Sequence, residues 1–177
     1  MQLLSALMFI VAVQVPAMNT RELAVIEAQR VVHCGTNLEI AIFPSGGVYE
    51  HLEDGCVNPK SESILHHVTA ERVSDLLRLA ERTSFFDLPD YIEPDTFISD
   101  EHQFVIRVRS GGRDKSVRAI GLKRARDPDS AKRFSAMWDA IMSLVPERDA
   151  RLPNTRLHPP AAGWDQAGLK DSLGRRG

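Results

Sequence analysis

Two short runs of strict alternation constrain this chain more than any other feature. In Leu38-Glu39-Ile40-Ala41-Ile42, bulky aliphatic side chains recur at every second position. In Gln103 to Arg109 (QFVIRVR), Phe104, Ile106 and Val108 do the same. A period of two places alternate side chains on one face of a pleated strand, so both runs predict strands with one face on a core and the other toward water. Glycine pairs follow them. Pro44-Ser45-Gly46-Gly47 leads into Val48–Leu52, and Ser110-Gly111-Gly112-Arg113 leads into Lys115–Ile120. Glycine tolerates the positive φ that hairpin turns require, so each pair predicts an antiparallel hairpin. Leu23–His33 reads as a further strand, although Glu27-Ala28-Gln29 is also compatible with helix.

Two helices complete the pattern. Thr69 is placed as an N-cap with Glu71 in the first turn, and Val73, Leu76, Leu77 and Ala80 recur at helical spacing up to an end near Thr83. Asp127-Pro128 is a second helix start, since proline at the first helical position has no N–H to leave unsatisfied. Ala131, Phe134, Trp138, Ile141 and Val145 are the expected buried stripe, and Pro146 ends the helix. Asn58–His67 reads as a polar connection and Asp87–Glu101 as a long acidic loop. The order β-β-β-α-β-β-α predicts a two-layer α+β domain, an antiparallel sheet of about five strands with two helices on one face.

Composition decides between broad classes. The chain has 177 residues, 43% hydrophobic and 26% charged, which suits one globular domain with a packed core. Its net charge of -2, with the charges interspersed, lacks the basic excess on which nucleic-acid binders rely for phosphate neutralisation. Leu3–Val15 (LLSALMFIVAVQV) is apolar and uncharged, shorter than the roughly 20 residues of a spanning helix, and fits the apolar core of a secretory signal peptide. The boundaries read as a signal peptide over residues 1–17 cleaved after Ala17, one domain over 18–146, and a disordered tail over 147–177 rich in proline, glycine and arginine. The expected location is periplasmic or secreted, with no stable transmembrane span after cleavage. No Lys or Arg precedes the apolar run, so it also fits an uncleaved anchor, the first helix of a cytosolic domain, or sequence ahead of a start at Met18.

Several motifs recur together in a recognisable order: Cys34-Gly35-Thr36, Gly46-Gly47-Val48-Tyr49, Phe85-Phe86-Asp87-Leu88 with Tyr91, and Gly111-Gly112 through Val117. In this the chain resembles an uncharacterised family of secreted bacterial domains, a domain of unknown function. Its pattern runs from a Cys-Gly-x-Cys segment through a glycine hairpin, a helix, Phe-Phe-Asp-Leu and an acidic loop to a Gly-Gly hairpin and a last helix. Asn37 stands where that family has its second Cys, and Leu38 where a Pro is usual. The resemblance implies an architecture and an envelope location, and no known activity.

Candidate chemistry is sparse. Cys34 and Cys56 follow the first and third strands; an exported chain with an even number of cysteines tends to oxidise them, whereas two separate buried thiols are the alternative. The loop of about 22 residues between them would stabilise the fold by about 3 kcal/mol in the chain-entropy model. His33, His51, His66 and His67 are zinc-ligand types. However, His33 and Cys34 are neighbours on a strand and point apart, so these histidines read as loop residues and no metal or cofactor is expected. Nucleophile motifs and phosphate-binding glycine loops before a helix are absent from the sequence. Two features can carry function. One is the basic second hairpin, where Arg107, Arg109 and Arg118 on an open sheet face would bind an envelope protein or surface ligand without catalysis. The other is the acidic loop 87–102, whose Asp95 and Asp100 with His102 would serve a small hydrolase.

Overall fold

The computed structural model describes residues 22–33, 35–54, 60–96 and 101–145. The proposed signal segment, the tail, Cys34, Cys56 and Asp100 lie outside them. The architecture is α+β. Strands β1 (Ile26–Val31), β2 (Thr36–Ile42), β3 (Gly47–Asp54) and β4 (Lys60–His67) precede helix α1 (Ala70–Arg82). Then come β5 (Tyr91–Ile92), β6 (Gln103–Ser110), β7 (Arg113–Ile120) and helix α2 (Pro128–Met142), with single 3₁₀ turns at Phe85–Asp87 and Leu122–Arg124. The strands form one mixed sheet in the order β4-β3-β2-β1-β6-β7-β5, antiparallel throughout except where β5 runs parallel to β7.

β1 joins the two hairpin systems. Ile26 stands opposite Ile42 on one side and Val108 on the other, and Ala28 opposite Ile40 and Ile106. These residues are buried, together with Leu38, Val48, Leu52, Val117 and Ala119. One continuous apolar cluster unites them with Val73, Leu76 and Ala80 of α1 and Ala131, Phe134, Met137 and Ile141 of α2. Truncating a buried ring such as Phe85 or Phe134, both 0% exposed, costs about 3–5 kcal/mol, against at most about 1 kcal/mol for an exposed ion pair. The apolar cluster therefore holds the fold, and surface charges orient what it carries.

The helix ends follow their caps. The Thr69 hydroxyl accepts from the Arg72 N–H, and the Asp127 carboxylate accepts from the N–H groups of Asp129 and Ser130. Thr83 closes α1 and is followed by Ser84 in the left-handed region at φ 49°. The Arg133 guanidinium of α2 donates to the carbonyls of both Thr83 and Ser84, tying the end of α1 to α2. Gly46 turns the β2–β3 hairpin at φ 94°, and its N–H donates to the Phe43 carbonyl. An added Cβ there would collide with the Val68 backbone oxygen, which is why this turn position needs glycine.

The sheet has seven strands rather than about five. The expected polar connection at Asn58–His67 is largely strand β4. Its sequence KSESILHH has one bulky aliphatic residue per face, Ile64 and Leu65, so no apolar alternation marks it; an edge strand with partly exposed side chains needs none. The acidic loop carries the two-residue β5, whose Tyr91 and Ile92 pair with Arg118 and Ala119. The α2 stripe is Ala131, Phe134, Met137 and Ile141, followed by buried Leu144 just past the helix, with Trp138 at its margin, edge-on to Phe104 at 4.9 Å between ring centroids. Among the described residues no helix is long and apolar enough to cross a membrane.

Candidate binding surface

Strand parity sorts the side chains. On β1, β2, β3 and β6 the apolar even-numbered residues join the helix-side cluster, and the β3–β4 register sets the even-numbered residues of β4 on the same face, so odd-numbered residues occupy the opposite face. On β7 the parity reverses, because Val105 pairs with Arg118 and Arg107 with Ser116. Arg107, Arg109 and Arg118 therefore share the face opposite the helix-side cluster, called the open face below.

Arg107 and Arg109 are bound to carboxylates within the chain. The Arg107 guanidinium donates to both oxygens of Asp114, from Nε at 2.8 Å and Nη2 at 2.7 Å. Arg109 Nη1 donates to Glu27 Oε1 at 2.9 Å and to the Ala24 carbonyl at 2.7 Å, and its Nε lies 3.4 Å from Asp114 Oδ2. Two cations and two carboxylates thus form one nearly neutral network across β1, β6 and β7. The hydrogen bonds from Arg107, reinforced by the charges of Arg107 and Arg109, hold the Asp114 carboxyl below the ordinary carboxylate range against a smaller effect of burial. The Arg107 guanidinium is correspondingly raised, first by the same hydrogen bond.

The rest of the basic hairpin meets the acidic loop. Lys115 pairs with Asp90, Arg126 with Glu93 and Arg124 with Glu101, while Arg113 pairs with Glu81 of α1 and lies 4.0 Å over the Phe86 ring. The Asp95 N–H donates to the Arg124 carbonyl, and Arg126 N–H to that of Glu93. Two segments that the sequence presents as separate charged features are thereby each other's partners. Asp95 and His102 are both exposed, and among the described residues no three His, Cys, Asp or Glu side chains converge to hold a metal ion.

The registers of all seven strands bring one transverse row together on the open face: Ser63, His51, Glu39, Gln29, Val105, Arg118 and Tyr91, each directly opposite the next. His51 Nδ1 lies 2.8 Å from Ser63 Oγ, and Ser63 Oγ lies 3.0 Å from the Tyr49 hydroxyl. The Tyr49 and His51 rings are parallel within 3°. Gln29 Nε2 donates to Glu39 Oε1 at 3.3 Å. Beside this row a small apolar cluster of Ala24, Ala41 and Phe43, with Tyr49 against it, continues to Leu65 and its 39% exposure. His51 and Ser63 have the contact of a base and a hydroxyl nucleophile. The row and the residues beside it set donors, acceptors and ring faces at strand spacing.

Sequence reasoning placed Arg107, Arg109 and Arg118 on this face and missed Tyr49, His51, Ser63, Glu39 and Gln29. Ser63 was hidden because β4 does not alternate visibly. The others were legible only as polar positions of strands whose register was not yet known. A comparison with protein-family models gives no match, and a comparison with curated proteins gives none either.

The Asp114 network generates a pH dependence. A carboxyl whose pKa is lower in the folded state contributes stability that is fully present above its unfolded pKa of about 3.9 and lost as pH falls through the lower folded value. Asp114→Asn is expected to unfold at lower urea concentration than the parent at pH 7. The gap should narrow as pH falls below about 4. A gap of constant size down to the acid limit would mean that the network does not respond to Asp114 ionisation.

Proposed function

We propose that this chain is a non-enzymatic, exported envelope domain of two-layer α+β architecture that binds a protein or surface ligand on the open face of its sheet. The single observation carrying this reading is the transverse row from Ser63 to Tyr91, seven side chains in register on the face opposite the apolar cluster. Arg107 and Arg109 act there as held hydrogen-bond donors and Arg118 as a member of the row. Because Glu27 and Asp114 neutralise the first two, a partner with matching hydrogen-bond groups fits this face better than a purely anionic surface would. Membership of the uncharacterised secreted family is part of the same proposal and rests on the motif order alone.

Oxidation of Cys34 with Cys56 belongs with export; both cysteines lie outside the described residues. Intact mass after thiol alkylation, from an export-competent bacterial host, should show a chain starting at Met18 with both cysteines alkylated only after reduction. Alkylation of both without reduction would remove the disulfide.

The binding reading is tested with p-benzoylphenylalanine in place of single residues in living cells. Glu39 and Ser116 are exposed on the open face, and Arg78 is exposed on α1. Discrete ultraviolet-dependent adducts are expected from positions 39 and 116 and should fade when Arg118→Glu is added. Adducts from position 78 alone would place binding on the helices and overturn the proposal.

A further inference from the structure

Among the described residues the sheet ends in two very different edges. On one side β5 pairs over only two residues, Tyr91 and Ile92. On the other, β4 is eight residues long and pairs with β3 alone. The Val68 N–H donates to the Gly46 carbonyl at 2.9 Å, in line with the β3–β4 register, so the even-numbered residues of β4 direct their backbone groups to β3. Ser61, Ser63, Leu65 and His67 therefore direct theirs outward. Such an edge templates the addition of another strand.

We infer that the strand it accepts is β4 of a second copy, joined antiparallel about a two-fold axis at Ile64. The backbone parity allows only registers that oppose odd residues to odd residues. Of these, the register centred on Ile64 is chemically self-complementary. It sets Ile64 against its own copy, with Glu62 facing His66 on both sides of it. On the open face it sets Ser63 against Leu65 and Ser61 against His67. Each neighbouring register also opposes its central residue to its own copy, but moving the centre to Ser63 sets Glu62 against Ile64 twice, and moving it to Leu65 sets Ile64 against His66 twice, so only the Ile64-centred register keeps apolar opposite apolar and polar opposite polar on the helix side. Side-chain exposure agrees. Glu62 and Leu65 are exposed and Ile64 is half-buried, with its remaining surface available to an apolar partner. A C2 pair of this kind joins two seven-stranded sheets into one and closes the β4 edge along the length of the strand.

Proline separates this edge from the fold itself. At Ser63 it removes an outward N–H that β3 does not use, whereas at Ile64 it would remove one that β3 needs. Sedimentation equilibrium of the full chain over a wide concentration range should show a monomer–dimer equilibrium. Ser63→Pro should raise the dissociation constant roughly tenfold or more through two lost hydrogen bonds, and Glu62→Lys should raise it in the same direction. Thermal unfolding of both variants at low concentration checks that the fold persists. Hydrogen exchange should slow at the Ser63 and Leu65 amides as the parent dimerises. A parent that stays monomeric at every concentration overturns the inference. So does a dimer unaffected by Ser63→Pro, which would use another surface. A monomer whose Ser63 and Leu65 amides are already protected would show the edge occupied by the chain's own C-terminal segment, and also overturns it.

Discussion

The pairing of β1 on both of its sides is the contact on which everything else depends. Ile26 and Ala28 face Ile42 and Ile40 across one ladder and Val108 and Ile106 across the other, all on the side of the helices. A slip of one residue in either ladder would turn Glu27 and Gln29 into the apolar cluster and send Ile26 to water. Because burial forbids that, β1 transmits one parity from β4 to β7. The same parity that fills the core lines up the polar row on the other face. Core and candidate surface are thus two consequences of a single register.

Charge then pairs the two most charged segments with each other. Basic β7 and the turn after it lie against the acidic segment between α1 and β6, joined through Asp90, Glu93 and Glu101. Pairs this exposed add little stability each, yet they cancel the fields of both segments locally and fix the path of a loop with little secondary structure. A basic hairpin considered alone suggests an acidic ligand, and an acidic loop considered alone suggests a cation or catalysis. Placed side by side, each accounts for much of the other. What remains is the open face, where the arginines are held by carboxylates and where hydroxyl, imidazole and ring groups stand at strand spacing.

The parts of this fold that were legible in the sequence are those governed by local physics. Alternation marked β2 and β6, glycine pairs marked their hairpins, and Thr69 and Asp127 marked the helix starts at the residues where their side chains cap. The parts that escaped are governed by tertiary context. β4 has no apolar alternation because it lies at an edge, and β5 is two residues held only by β7. Met137 rather than Trp138 is fully buried, because α2 turns Trp138 toward Phe104 at the margin of the sheet. The site was half legible for the same reason. Arg107 and Arg109 could be assigned to one face from their own strand, but Ser63, His51, Glu39 and Gln29 come from four strands, and only the register between strands makes them neighbours.

Proton NMR of the folded domain tests that register directly, through cross-strand nuclear Overhauser contacts along the transverse row. Backbone contacts are expected to link Gln29 with both Glu39 and Val105, and to continue from Glu39 to His51 and Ser63 and from Val105 to Arg118. Contacts displaced by one residue in either ladder of β1 would contradict it. They would break the row apart, move its polar side chains toward the helices and leave the open face without the surface proposed to bind.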